Sequence, residues 1–298
     1  MLVTGKGLVG SSLHRIADYT IGSEVDLRIP DVTNSYFSKI LPDRVIHTSA
    51  KVGGIMSNML YKGEYFYDNI MMNTNVIEAC RKHGVEKLVV FLSTCVFPDS
   101  IEYPLTESKI HLGEPHSSNY AYAYAKRMAD IQVRAYRDQY GLDYKCVIPT
   151  NIYGENDNFS LEHGHVIPML IHKMYNSIRN NEDFTVWGTG NPLREFIYSK
   201  DVATLTEWVL NNYDENEPII LSTSEEVSIG DLVGLIAEEF NFRGKIVFDS
   251  SKPDGQYRKP SDNSKVKNYL PDFKFTPLEV GLKNTIKWFI ENYESARK

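Results

Sequence analysis

Short apolar runs alternate with stretches of helical period through the first half of the chain. Leu2-Val3-Thr4, Arg44-Val45-Ile46-His47, Leu88-Val89-Val90-Phe91-Leu92 and Tyr144–Ile148 read as buried strands. Between them, residues 64–83 place Phe66, Ile70, Asn73, Ile77 and Cys80 at helical spacing, and residues 120–140 read as a second long helix ended by Gly141. A short helix over 11–18, a weak strand near Ser23–Leu27 and a turn at Asp31-Val32-Thr33 fill the early segment. Such alternation predicts βαβ units with right-handed crossovers, an α/β fold built on a doubly wound parallel sheet of Rossmann type.

The texture changes after Gly154. A polar loop (Asn156, Asp157, Asn158, His163, His165) precedes a helical stretch at Val166–Met174 and a strand at Phe184–Trp187 that runs into a glycine-rich turn. Ser228 with Asp231, and Thr276-Pro277 with Glu279, read as capping boxes of later helices. The expected division is a nucleotide-binding domain over 1–153, to which segments near 195–223 return. Residues 154–298 form mainly a smaller α/β substrate-binding domain.

Composition narrows the class. With 298 residues, 42% of them apolar, the chain is long enough for one large or two packed domains and too apolar for disorder. A net charge of −7 argues against a nucleic-acid binder. No apolar run approaches a membrane span, and Met1 leads directly into a strand, so neither a membrane partner nor a signal peptide is expected. Cys80, Cys95 and Cys146 fit neither a disulfide framework nor a metal site, and Cys80 reads as core. A reducing, cytoplasmic location is the expectation.

Three local patterns carry chemistry. Gly5-Lys6-Gly7-Leu8-Val9-Gly10 lies between a strand and a helix, where glycines let backbone N–H groups approach a dinucleotide's diphosphate. Glu24 and Asp26 favour NAD and Arg28 favours the 2′-phosphate of NADP, so the residues alone leave the cofactor open. Tyr122 and Lys126 are four apart and share a helix face, where an ammonium lowers the pKa of a neighbouring phenol. Ser93, at the end of its strand, could bind a carbonyl oxygen beside that phenol. Alone, a Tyr-x-x-x-Lys pair more often means an amphipathic surface helix. His163 and His165 lack a third ligand at suitable spacing, so no metal is expected.

In this order, the glycine loop, Ser93, Tyr122 and Lys126 resemble the extended short-chain dehydrogenase/reductase superfamily. Ser93-Thr-Cys-Val-Phe-Pro98, Pro149-Thr-Asn-Ile-Tyr-Gly154, Asp157-Asn-Phe159, Gly164-His-Val-Ile-Pro168, Val186-Trp-Gly-Thr-Gly190 and Lys252-Pro-Asp-Gly255 are similar to the GDP-L-fucose synthase family within it. The resemblance covers essentially the whole chain. It implies C3 and C5 epimerisation of a GDP-4-keto-6-deoxy sugar, followed by C4 reduction with NADPH.

The resemblance makes Cys95 the base and His165 the acid of epimerisation, and Ser93, Tyr122 and Lys126 the reductive set. A thiol and an imidazole have ordinary pKa values of ~8.5 and ~6.5, near enough to neutrality for both tasks. It gives NADP(H) to Gly5, Lys6, Gly7, Leu8, Val9, Gly10, Arg28, Leu92, Ser93, Lys126, Pro149, Thr150, Asn151, Ile152 and His165. It gives the GDP-sugar to Lys173, Trp187, Arg194 and Asp254, with Arg258 and Lys259 as lesser candidates. It also implies a homodimer built from the helices at 64–83 and 120–140. One departure stands out: only Lys6 separates the first two glycines, where the family has two residues. The competing readings are a nucleotide-sugar 4,6-dehydratase, disfavoured because no carboxylate follows Ser93, a 4-reductase or 4-epimerase, and a non-catalytic dinucleotide sensor.

Overall fold

A computed structural model describes residues 1–252, 254 and 256–298; Pro253 and Gly255 of the Lys252–Gly255 motif lie outside the described residues. The first strands and helices are β1 (Leu2–Thr4), α1 (Leu8–Leu13), β2 (Tyr19–Ile21), α2 (Pro30–Ile40), β3 (Arg44–His47), α3 (Ile55–Leu60), α4 (Lys62–Lys82), β4 (Lys87–Phe91), α5 (Tyr120–Tyr140) and β5 (Asp143–Pro149). They continue as β6 (Asn151–Tyr153), α6 (Val166–Asn180), β7 (Phe184–Trp187), β8 (Leu193–Tyr198), α7 (Ser199–Asn212), β9 (Ile219–Leu221) and β10 (Glu226–Ser228). The last are α8 (Ile229–Glu239), β11 (Ile246–Asp249), α9 (Ser264–Tyr269) and α10 (Leu278–Glu291).

The principal sheet is six-stranded and parallel, in the order β2-β1-β3-β4-β5-β9. Strand order reverses between β1 and β3, which opens a crevice at the carboxyl ends where such sheets bind ligands. Side chains alternate across the sheet as strand geometry requires. Leu88 and Val90 join the core under α4 and α5, with Val76, Ile77, Cys80 and Ala129. Val89 and Phe91 face the opposite core, with Val202, Leu205 and Val209 of α7. Smaller sheets, β10-β8-β6 and β11-β7, carry a third core around Phe159, Ile171, Phe184 and Phe289.

Some elements differ from expectation for local reasons. The second strand is Tyr19–Ile21, because the Glu24 and Asp26 carboxylates bind the backbone N–H groups of Gly22 and Arg28, each at 3.0 Å, and turn residues 23–29. Helix α1 starts at Leu8 and closes in a 3-10 turn at His14–Ile16, ahead of the 11–18 window. The segment at Asp31 is helix α2, with Pro30 at its first position and Thr33 and Phe37 buried one turn apart. Ser228 does cap α8, accepting from Asp231 N at 2.9 Å. Thr276 instead bonds the Asp201 carboxylate, through both its N–H and its hydroxyl, so no capping box precedes α10. Asn73, Ile77 and Cys80 are buried on α4, whereas Phe66 is exposed.

Candidate active site

The chain leaves β4 through buried Leu92, and Ser93 follows in extended backbone before a 3-10 turn over Thr94–Val96. That turn folds Cys95 back, so its N–H reaches the Ser93 hydroxyl at 3.4 Å. Asn119, the residue before α5, donates its side-chain amide to the Cys95 sulfur at 3.1 Å. Helix α5 then turns Tyr122 and Lys126 inward together, with relative exposures of 9% and 1%. Tyr120 stays exposed, and Tyr124 is half-buried with the Arg127 guanidinium 5.3 Å from its ring centroid, so only Tyr122 of the alternating tyrosines faces this edge.

The electrostatics depart from expectation. The Lys126 ammonium donates to Phe91 O at 2.7 Å and lies 6.0 Å from the Tyr122 ring centroid. Burial raises the Tyr122 pKa, helped by Cys95 and Tyr65, so the phenol stays protonated rather than tending to phenolate. Burial brings Lys126 down to about 8. Buried His47, at the end of β3, is lowered to about 3 by burial and the Lys126 charge, and is therefore neutral. Its ring bonds Thr4 Oγ1 at 2.7 Å and Asn73 Oδ1 at 3.1 Å, tying β1, β3 and α4 beneath the site.

The glycine loop closes tightly despite its length. Gly5 adopts φ +102°, and its N–H bonds Ile21 O at 2.7 Å. A β-carbon on Gly10 would stand 1.9 Å from Gly5 O, so only glycine fits there. Leu8 and Val9 form the first turn of α1. Both expected cofactor cations carry partners: Lys6 pairs with Glu24 at 2.5 Å, and Arg28 pairs with Asp26 at 2.8 Å and Asp68 at 3.1 Å. Pro149 ends β5, Thr150 follows, and Asn151 and Ile152 open β6, with the Asn151 amide on Glu195 O at 2.7 Å. Thr150 Oγ1 and Asn119 Oδ1 are buried with no hydrogen-bond partner among the described residues. The orphan Thr150 hydroxyl at the carboxyl end of β5, together with a glycine loop that excludes a β-carbon at Gly10, fits a polar dinucleotide.

His165 caps α6 and opens to solvent on one side, while the surrounding protein and the Arg297 charge lower its pKa. Its loop reaches the crevice through Gly54 N–H, which bonds His163 O at 3.3 Å. No hydrogen bond links His165 to Cys95 among the described residues. Lys173 and Lys252 each hold an ammonium 5.8 Å from the Trp187 ring, which is 61% exposed. Asp254 is fixed by Thr189, whose N–H and hydroxyl donate to it at 2.6 and 2.8 Å. Arg194 donates to Leu193 O at 2.7 Å and Tyr257 O at 3.4 Å. Arg258 is paired with Glu226, whereas burial lowers the pKa of the half-buried Lys259.

Residues 10–230 match the family described as NAD dependent epimerase/dehydratase. The chain belongs to that family. Among family relatives, GDP-L-fucose synthase of Dictyostelium discoideum is 50% identical, covering 100% of this chain and 97% of that protein. GDP-L-fucose synthase of Escherichia coli K12 is 34% identical, covering 98% and 96%. A crystal structure of a GDP-L-fucose synthetase from Naegleria fowleri bound to NADP has a TM-score of 0.94 at 47% identity, covering 100% of this chain and 94% of that one. Within this family member, sequence reasoning missed Asn119 and His47. Asn119 precedes a helix without capping it through its side chain, and His47 looked like one more strand residue; neither position carries a local signal.

Proposed function

We propose that this protein converts GDP-4-keto-6-deoxy-D-mannose to GDP-L-fucose in one crevice, by C3 and C5 epimerisation followed by C4 reduction with NADPH. The observation that carries this reading is the Asn119–Cys95 contact at 3.1 Å, which holds a thiol beside Ser93 and against the residue one helical turn before Tyr122. Protons next to the C4 ketone are acidic because their loss leaves an enolate. Cys95 thiolate takes such a proton from one face, and protonated His165 returns one to the other. The surrounding protein and the Arg297 charge lower the His165 pKa, which makes it a stronger acid once it is charged.

NADPH, when bound, supplies hydride to C4. Tyr122 gives its proton to the C4 oxygen, which becomes a strongly basic alkoxide as hydride arrives. The Ser93 hydroxyl donates to the same oxygen, and Lys126, anchored on Phe91 O, orients the nicotinamide ribose. Gly5–Gly10, Arg28, Leu92 and Pro149–Ile152 border the cofactor. Lys173, Trp187, Arg194 and Asp254 take the GDP-sugar: the cations suit a diphosphate, and the exposed indole packs on a ring.

In this reading, residues 1–153 with 195–223 form the cofactor domain, and the remainder forms mainly the substrate domain. Exposed Phe66, Tyr120, Met128 and Ile131 on α4 and α5 support an isologous homodimer through those helices. The reading also carries a cytoplasmic location; among the described residues no helix is long and apolar enough to cross a membrane.

Incubation with GDP-4-keto-6-deoxymannose and NADPH in deuterated water, followed by NMR, tests the reading. GDP-L-fucose labelled at C3 and C5 is expected. NADPH consumption without label at either carbon would make the protein a simple 4-reductase.

A further inference from the structure

Two cations are expected at the cofactor and a third lies against the glycine loop; the first two are neutralised. Lys6 faces Glu24, and Arg28 faces Asp26 and Asp68. The third, Arg297, comes from beyond α10. Its Nη1 and Nη2 each lie 3.6 Å from where a Gly7 β-carbon would stand, so the guanidinium lies directly against the open side of the loop.

The backbone there is held firmly. Phe159 N–H donates to Arg297 O at 2.8 Å, Asn158 and Arg297 form a parallel bridge, and buried Ala296 bonds Asn292 O at 2.8 Å. The side chain is not saturated. Among the described residues its one hydrogen bond is Nη2 to Asn156 O at 3.2 Å, and no carboxylate pairs with it. A guanidinium offers five N–H donors in a planar fork. Lys6, Asp157 and Arg297 share a cavity of about 290 Å³, in which buried Asp157 Oδ2 has no hydrogen-bond partner.

Building on the dinucleotide reading above, we propose that Arg297 binds the diphosphate of the nicotinamide cofactor, supplying the charge that Lys6 and Arg28 spend on carboxylates. The planar fork matches two phosphate oxygens at once, which an amide backbone loop cannot neutralise alone. The loop is one residue shorter than its family pattern, and the guanidinium against Gly7 compensates by closing its exposed side.

Fluorescence titrations of the full chain with NADPH and with adenosine 2′-monophosphate, which lacks the diphosphate, test this. Arg297→Gln should weaken NADPH binding about tenfold, the loss of one charge-assisted pair. It should leave adenosine 2′-monophosphate unchanged, and Arg297→Lys, which keeps the charge but not the planar fork, should recover part of the loss. Unchanged NADPH affinity in the Gln variant overturns the proposal. So does an equal loss for adenosine 2′-monophosphate, which would put Arg297 on the 2′-phosphate. A Lys variant as weak as Gln, with a lowered melting temperature before ligand is added, would make Arg297 a fold contact and also overturn it. Wild-type protein that binds no NADPH would instead overturn the functional reading itself.

Discussion

The Asn119 amide donates to the Cys95 sulfur at 3.1 Å, and Asn119 is also the residue from which α5 departs toward Tyr122 and Lys126. One side chain therefore links the orientation of the thiol to the start of the helix that holds the reductive pair. Replacing Asn119 by Ala frees the thiol to rotate, and positioning losses of this kind cost proton transfer about tenfold or more. Deuterium wash-in at C3 and C5 should fall by that factor, while NADPH binding stays within about twofold. Wash-in at the wild-type rate would remove Asn119 from the account.

Lys126 is a functional group kept at a cost to stability. Its folded pKa of about 8 lies below the 10.5 of a free lysine, so the unfolded chain binds the proton more tightly. The penalty is fully present below pH 8, shrinks as pH rises and is gone above about 10.5. It amounts to about 3 kcal/mol at most, offset in part by the bond to Phe91 O. Lys126→Met should abolish C4 reduction yet be more stable than wild type at pH 7, with most of the gain gone at pH 10. Denaturant titrations at both pH values check this; a Met variant less stable at pH 7 would contradict it.

Asp157 behaves oppositely to an ordinary surface carboxylate. Burial pushes it up to about 7 from 3.8, against the bond from Asn158 N–H and the charge of Arg297. The folded chain therefore holds a proton that the unfolded chain has lost, and stability from this group falls as pH rises from about 4 to 7. The span corresponds to about 4 kcal/mol at most. Asp157→Asn should flatten that part of the melting-temperature profile and be the more stable form above pH 7. Parallel profiles for the two proteins would show that Asp157 does not titrate in this range.

Much of this architecture was legible because it is local. β1, β3, β4 and β5 are short apolar runs, and β3 at Arg44–His47 and α5 at Tyr120–Tyr140 match their sequence windows directly. Ser93 and Cys95 are two apart and Tyr122 and Lys126 four apart, so strand-end and helical geometry bring each pair to one edge. What was hidden depends on the third dimension. Asn119 meets Cys95, and His47 meets Asn73, across long stretches of chain. Arg297 meets Gly7 from the opposite end of the sequence. The direction of the Tyr122 shift was missed because spacing reveals a neighbouring ammonium but not the depth of burial, and burial wins here. Helix α2 was read as a turn because its polar residues outnumber Phe37, its one fully buried large side chain.

The most direct test of the account is the fate of the C3 and C5 protons when Cys95→Ser is incubated with GDP-4-keto-6-deoxymannose and NADPH in deuterated water. The account predicts no deuterium at either carbon while NADPH is still oxidised, giving a sugar reduced at C4 without inversion. GDP-L-fucose labelled at both carbons, formed at the wild-type rate, would contradict the assignment of Cys95 as the base.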